Sequence, residues 1–196
     1  MEEAHHEPSG DVERALEALG KRNLVIVGLM GAGKSAIGKL VAQYLGIPFV
    51  DSDHEIERVS RMTIPELFEA YGEPEFRKLE QRVIKRLLRT GPRVLSTGGG
   101  AFMNAETRAA ICENGLSLWL DADLEILWER VTKRDNRPLL KTANPKKTLE
   151  DLMIARYPTY ATAHLTVKSR DIRKDAMAHE VIAAVAATLE NADHDA

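Results

Sequence analysis

Several short stretches of the chain combine residue types and spacings that could do chemistry. The first is GLMGAGKS, residues 28–35. Gly28, Gly33, Lys34 and Ser35 fit the spacing G-x-x-x-x-G-K-[ST], a loop whose backbone N–H groups turn inward around phosphate oxygens. Glycines let the backbone approach without a Cβ in the way. Lys34 is a mobile point charge for the outer phosphates. Ser35 offers a hydroxyl to Mg2+, which prefers oxygen and keeps several of its waters. A glycine-rich turn without a ligand is the plain alternative. A buried strand before the loop and an amphipathic helix after it weigh against that alternative. The motif therefore implies a nucleoside triphosphate with Mg2+ and says nothing about the acceptor.

Further stretches bear on the acceptor. In VDSDHEI, Asp51 and Asp53 stand at i and i+2. Two carboxylates could divide two jobs, one holding Mg2+ through water and the other orienting a hydroxyl and taking its proton. The competing role is a helix cap, which locally suits Asp53 or Ser52. His54 reads as an exposed first-turn residue. In STGGGAF, Gly98, Gly99 and Gly100 expose backbone N–H groups to a compact ligand. Arg77 follows an aromatic residue beside a helix break, and Arg156 precedes a proline turn. If they converge, they clamp a carboxylate. Arg82, Arg86 and Arg89 read as solvated. Arg134, Arg137 and Lys141 occupy a proline-broken stretch too long for a simple connector, which suits a lid bearing charge-neutralising arginine.

The elements that must position these residues follow from periodicity. Short apolar runs at 23–28, 47–53, 93–100, 116–123 and 163–169 read as strands, mostly buried on both faces. Helical spacing appears at 11–19, 33–45, 54–60, 64–89 with a break near Gly72 and Pro74, 104–115, 123–134, 148–156 and 175–190. Asp123 is the expected cap of its helix. The lid covers about 135–147. Alternating strands and helices predict an α/β fold of three αβα layers on a five-stranded parallel sheet. Ligands of such sheets bind at the carboxyl ends of the strands. Each of the stretches around Ser35, Asp53 and Gly99 lies at such an end.

Composition narrows the class. The 196 residues suit one main domain, with a tail and short helix over 1–20 and the rest, 21–192, as a single unit. Residues 1–10 are polar and are expected to be disordered, and His5 and His6 read as part of that tail. A formal charge of −3 leaves no footprint for a nucleic-acid backbone. No run approaches the length of a membrane span, nor does the N-terminus resemble a signal or transit peptide. The lone Cys112 allows no internal disulfide. The expectation is a cytoplasmic monomer with no nucleic-acid or membrane partner.

The ordered set GLMGAGKSAIG, DSD, EFR, STGGGA, RPLL and RYPTY resembles the shikimate kinase family over about residues 22–190. The resemblance implies phosphorylation of the 3-hydroxyl of shikimate by ATP, a step toward chorismate and the aromatic amino acids. It also implies a nucleoside monophosphate kinase-like fold with a mobile lid. Carried over by position, Gly31, Ala32, Gly33, Lys34, Ser35 and Ala36 form the ATP loop. Ser35 and Asp51 serve Mg2+, and Asp53 binds the shikimate hydroxyls and acts as base. Arg77, Arg156 and the glycines Gly98, Gly99 and Gly100 hold shikimate, with Phe68 and Phe76 beside its ring. Arg137 reaches the ATP phosphates, so Asp53, Lys34 and Arg137 form the catalytic set. Ala36 stands where many members carry threonine. Arg130 and Arg134 compete for the adenine side. Another small-molecule kinase of the same fold, acting on gluconate or a nucleoside monophosphate, and a regulator without catalysis are the alternatives. DSD, GGG and RYPTY together argue against the first. Retention of Lys34, Asp53 and Arg137 argues against the second.

Overall fold

The computed structural model describes residues 8–133, 138–140 and 142–194. Arg134, Arg137, Lys141, His5 and His6 lie outside this set, so the expectations for them have no counterpart in the description that follows.

The most apolar run makes the centre of the sheet. Strand β1 (Asn23–Val27) is buried at every residue. It is flanked by β3 (Val94–Ser96) and β4 (Gly115–Ala122), with β2 (Phe49–Asp51) and β5 (Leu165–Ser169) at the edges. The order is β2-β3-β1-β4-β5 and every pairing is parallel. A sheet that grows in both directions from β1 must reverse its winding beside β1. Right-handed crossovers then place helices on opposite faces. Helix α2 (Lys34–Leu45) lies on one face and packs with α8 (Lys174–His194) and α1 (Pro8–Leu19). On the other side, α5 (Ala105–Asn114) packs on β4 with α4 (Ile64–Leu88) beside it. This is the expected three-layer αβα architecture.

Differences from the expected boundaries have local causes. Helix α1 begins at Pro8, inside the stretch expected to be disordered, and buries Ala15 and Leu19 against the body. Strand β2 is only Phe49–Asp51 because Asp51 already caps α3 (Ser52–Ser60). Within α4 the expected break is present, with Gly72 at φ 76° and ψ 170° ahead of Pro74. Helix α6 (Leu124–Thr132) starts after Asp123, but the Asp123 side chain makes no cap. It accepts from Lys168 Nζ at 2.7 Å instead. Helix α7 (Pro145–Tyr160) is longer at both ends than expected and runs through Pro158. Of the stretch expected as a lid, residues 138–140 form a short 3₁₀ turn and 145–147 belong to α7.

Candidate active site

The phosphate loop closes between β1 and α2. Gly33 takes a left-handed conformation, φ 100°, and precedes α2 without any side-chain cap. A residue with a Cβ would be strained there. Leaving the cap open keeps the first N–H groups of α2 directed at the loop, where an anion also meets the positive end of the helix dipole. Lys34 Nζ arches back over the loop and donates to the carbonyls of Gly28 at 2.8 Å and Leu29 at 3.0 Å. The ammonium is thus held at the loop mouth.

Oxygen groups gather on the β2 side of that loop. Ser35 Oγ donates to Asp51 Oδ2 at 2.6 Å and lies 3.2 Å from Ser96 Oγ. Ser96 ends β3, the strand between β1 and β2, in register with Asp51 and Ile26. The sheet order itself therefore assembles the trio. The other oxygen of Asp51 accepts from Asp53 N at 3.0 Å and caps α3. The cap falls to Asp51, one position before the residues that local spacing favoured. Asp53 is left free of that duty and sits half-buried in the first turn of α3. No group of three or more His, Cys, Asp or Glu side chains suited to a metal occurs among the described residues. One hydroxyl and one carboxylate cannot cage a cation alone. They do suit Mg2+ that takes its remaining ligands from phosphate oxygens and water.

The three glycines make room for side chains as well as for a ligand. A Cβ on Gly98 would stand 2.8 Å from both Asp53 Oδ1 and Glu80 Oε1, and one on Gly100 would lie 2.5 Å from the Arg77 guanidinium. Gly98 N donates to Ser52 Oγ at 3.2 Å, which ties the glycine loop to α3. Arg77 is fixed from α4 by Glu80 at 2.8 Å and Glu73 at 2.9 Å, and lies over the Phe76 ring. Burial disfavours its cation, and the two glutamates more than offset that effect, so its pKa is raised. Arg156 comes from α7 and donates to Gly99 O at 3.1 Å. Phe68 and Phe76 pack with ring centroids 4.6 Å apart.

Glu80 was not legible as a site residue. Its side chain is 3% exposed, and its Oε1 has no hydrogen-bond partner among the described residues. Burial raises its pKa most; Arg77 pulls the other way, and neighbouring Asp53 pushes it up again. Arg130 is also placed. It donates to Ser169 Oγ at 3.0 Å and to Arg170 O at 2.8 Å, beside the phosphate loop.

Two clefts result. One, of about 470 Å³, runs from the phosphate loop past Asp51 to Arg130, Arg170 and Ile172. The other, of about 420 Å³, holds Arg77, Arg156, Phe68, Phe76 and Glu80. Met30, Asp53, Gly98 and Gly99 line both. The first cleft can hold a nucleotide with its phosphates at the shared wall. The second offers two arginines, a carboxylate and an aromatic pair to a small hydroxylated acid. Of the described residues that the family resemblance assigns to binding or catalysis, all but Ala32 line one or other of these clefts. Ala32 is buried within the phosphate loop, and Arg137 lies outside the described residues. No helix among the described residues is long and apolar enough to cross a membrane.

Comparison with known proteins agrees with this geometry. A family model for shikimate kinase matches residues 30–186. A shikimate kinase of Rhizobium leguminosarum bv. trifolii is 72% identical over 173 residues, covering 88% of each chain. One from Rhizobium meliloti is 70% identical over 89% of this chain and 91% of its own. Among solved structures, shikimate kinase from Acinetobacter baumannii in complex with shikimate superposes with a TM-score of 0.83 at 36% identity, covering 90% of this chain and 98% of that one.

Proposed function

The chain belongs to the shikimate kinase family, and on that premise we propose how its own residues divide the reaction. The reaction transfers the γ-phosphoryl group of ATP to the 3-hydroxyl of shikimate, giving shikimate 3-phosphate and ADP. The backbone of Gly31, Ala32, Gly33, Lys34, Ser35 and Ala36 cradles the triphosphate, with the Lys34 ammonium on its outer oxygens. Ser35 through its hydroxyl and Asp51 through water would hold Mg2+, which when bound would supply positive charge to offset that of the triphosphate.

On the acceptor side, Arg77 and Arg156 grip the shikimate carboxylate and so fix the ring's orientation. Phe68 and Phe76 cover its apolar edge, and Gly98, Gly99 and Gly100 offer backbone contacts. Asp53 accepts a hydrogen bond from the 3-hydroxyl and takes its proton as the oxygen attacks the γ-phosphorus. The bond to the bridging oxygen of ADP breaks in line with that attack. Arg137, outside the described residues, neutralises charge on the transferred group. Every group invoked comes from one chain, so a monomer suffices, and cytoplasmic ATP and Mg2+ supply the rest.

The observation that carries this reading is the shared wall. Asp53 lines both the nucleotide cleft and the acceptor cleft, together with Met30, Gly98 and Gly99. Replacement Asp53→Asn tests it. Turnover is expected to fall by about 10²-fold or more, with ATP affinity kept within twofold of wild type. Near-normal turnover in that variant would exclude Asp53 as the base.

A further inference from the structure

Tyr160 is fully buried and lines neither cleft, yet it reaches the acceptor loop. Its hydroxyl donates to the carbonyl of Gly99. Arg156 Nη1 donates to the same oxygen at 3.1 Å. The two donors stand at i and i+4, on one face of α7. One carbonyl of the acceptor loop is therefore held twice by a single helix. Burial pushes the Tyr160 phenol up to about 12, so it remains a donor throughout the physiological range.

The ring is itself held. Phe102 and Trp119 stack near it, with centroid separations of 6.4 Å and 6.1 Å, and Tyr157 meets it edge-on at 6.2 Å. A tyrosine has only two side-chain torsions, and packing on three sides leaves the hydroxyl little freedom. The same Trp119 ring lies 3.4 Å from where a Cβ of Gly28 would stand. The aromatic cluster thus supports the start of the phosphate loop as well as the glycine loop.

We propose that Tyr160 is a positioning residue for the acceptor: its hydroxyl holds the Gly99 carbonyl against α7, so that Arg156 keeps one N–H on that oxygen and presents its remaining N–H groups to the shikimate carboxylate. The peptide between Gly99 and Gly100 is trans. Its N–H therefore points opposite to the carbonyl, and fixing the carbonyl on the α7 side turns the Gly100 N–H away from α7. Without the hydroxyl, Arg156 carries the carbonyl alone and both the guanidinium and the loop peptide lose their set orientation. The inference rests on the assignment of Arg156 to the shikimate carboxylate.

A buried tyrosine that only fills space would affect stability alone. The two roles separate in Tyr160→Phe, which keeps the ring and removes the hydroxyl. The KM for shikimate is expected to rise about tenfold, the value of one well-placed hydrogen bond, with the KM for ATP within twofold of wild type. Tyr157→Phe is the matched control. It removes a hydroxyl from the same helix and the same cluster, but that hydroxyl donates to Ala122 O at the end of β4, which lines neither cleft. Its KM for shikimate is expected to stay at the wild-type value. An unchanged shikimate KM in Tyr160→Phe, or an equal rise in both variants, overturns the proposal. Wild-type enzyme in the same assay reports on the reaction itself: if it releases no ADP with shikimate, the functional assignment fails and not merely the role of Tyr160. Should Tyr160→Phe not fold, proton NMR of the wild-type chain decides. A slowly exchanging tyrosine hydroxyl proton, assigned to Tyr160, is expected to shift on saturation with shikimate. An unshifted or undetectable resonance overturns the proposal.

Discussion

The Ser35 hydroxyl lies 2.6 Å from the Asp51 carboxylate, joining the start of α2 to the end of β2. Strands β1 and β2 are not neighbours. The contact spans β3, whose Ser96 stands 3.2 Å from the same hydroxyl. Asp51 serves two masters, since its second oxygen caps α3 and so sets the first turn that carries Asp53. The start of α2 and the first turn of α3 are thus braced by one carboxylate.

The two duties of Asp51 separate by substitution. Asparagine caps helices about as well as aspartate, so Asp51→Asn is expected to keep the wild-type Tm within a few degrees. It should also raise the Mg2+ concentration for half-maximal activity by about 10–100-fold, the usual effect of losing a partner that orients a metal's ligands. Asp51→Ala removes the cap too and is expected to lose about 1 kcal/mol of stability besides. Thermal melts with Mg2+ titrations of activity distinguish the variants. Equal Mg2+ dependence in wild type and Asp51→Asn would refute the metal role.

Gly100→Ala tests the close approach of Arg77. The new methyl would lie 2.5 Å from both terminal guanidinium nitrogens, so Arg77 must leave its seat between Glu73 and Glu80. The expected outcome is a rise of about tenfold or more in the KM for shikimate, the scale of a lost charge-assisted hydrogen bond. ATP affinity, measured by titration calorimetry, should be unchanged because Arg77 does not line the nucleotide cleft. A weakened ATP site with an intact shikimate KM would contradict this placement.

Glu80 yields a pH prediction. Its carboxyl titrates higher in the folded chain, chiefly through burial, with Arg77 opposing and Asp53 reinforcing. Between the unfolded value, about 4.3, and the raised folded value, the native chain binds more protons than the unfolded one. Stability contributed at this site therefore falls as pH rises through that window. Glu80→Gln abolishes the titration. The Tm advantage of wild type over the variant is expected to shrink as pH climbs from about 4 and to level off once Glu80 is ionised. An advantage that grows with pH over that range would show an ordinary, stabilising ion pair.

Arg77 and Arg156, on helices α4 and α7, stand out by a neighbouring aromatic residue and a following proline, but most of what was legible in the sequence lies in strand-to-helix turns, where adjacency in the chain and in space coincide. Lys34 and Ser35, Asp51 and Asp53, and the three glycines are of this kind, and the parallel sheet brings their turns to one edge. Glu80 and Tyr160 are of another kind. A glutamate within QRVIKR-like surroundings reads as a solvated helix face, and only the packing of α4 against the glycine loop buries it. Tyr160 follows Pro158, which reads as a stop. The helix continues because the carbonyl that proline leaves unbonded, that of Ile154, lies on an exposed stretch of α7 where water can satisfy it. Asp51 as the cap was likewise hidden, because α3 begins at Ser52 and β2 ends earlier than its apolar run suggested.

The most direct measurement is ADP release by the purified chain with ATP, Mg2+ and shikimate, followed by a coupled assay, with quinate in parallel. Shikimate-dependent ADP release is expected, with phosphorus NMR showing one new phosphate ester on the 3-hydroxyl and a far lower rate with quinate. No ADP release above the acceptor-free background with shikimate would contradict the assignment of the acceptor cleft.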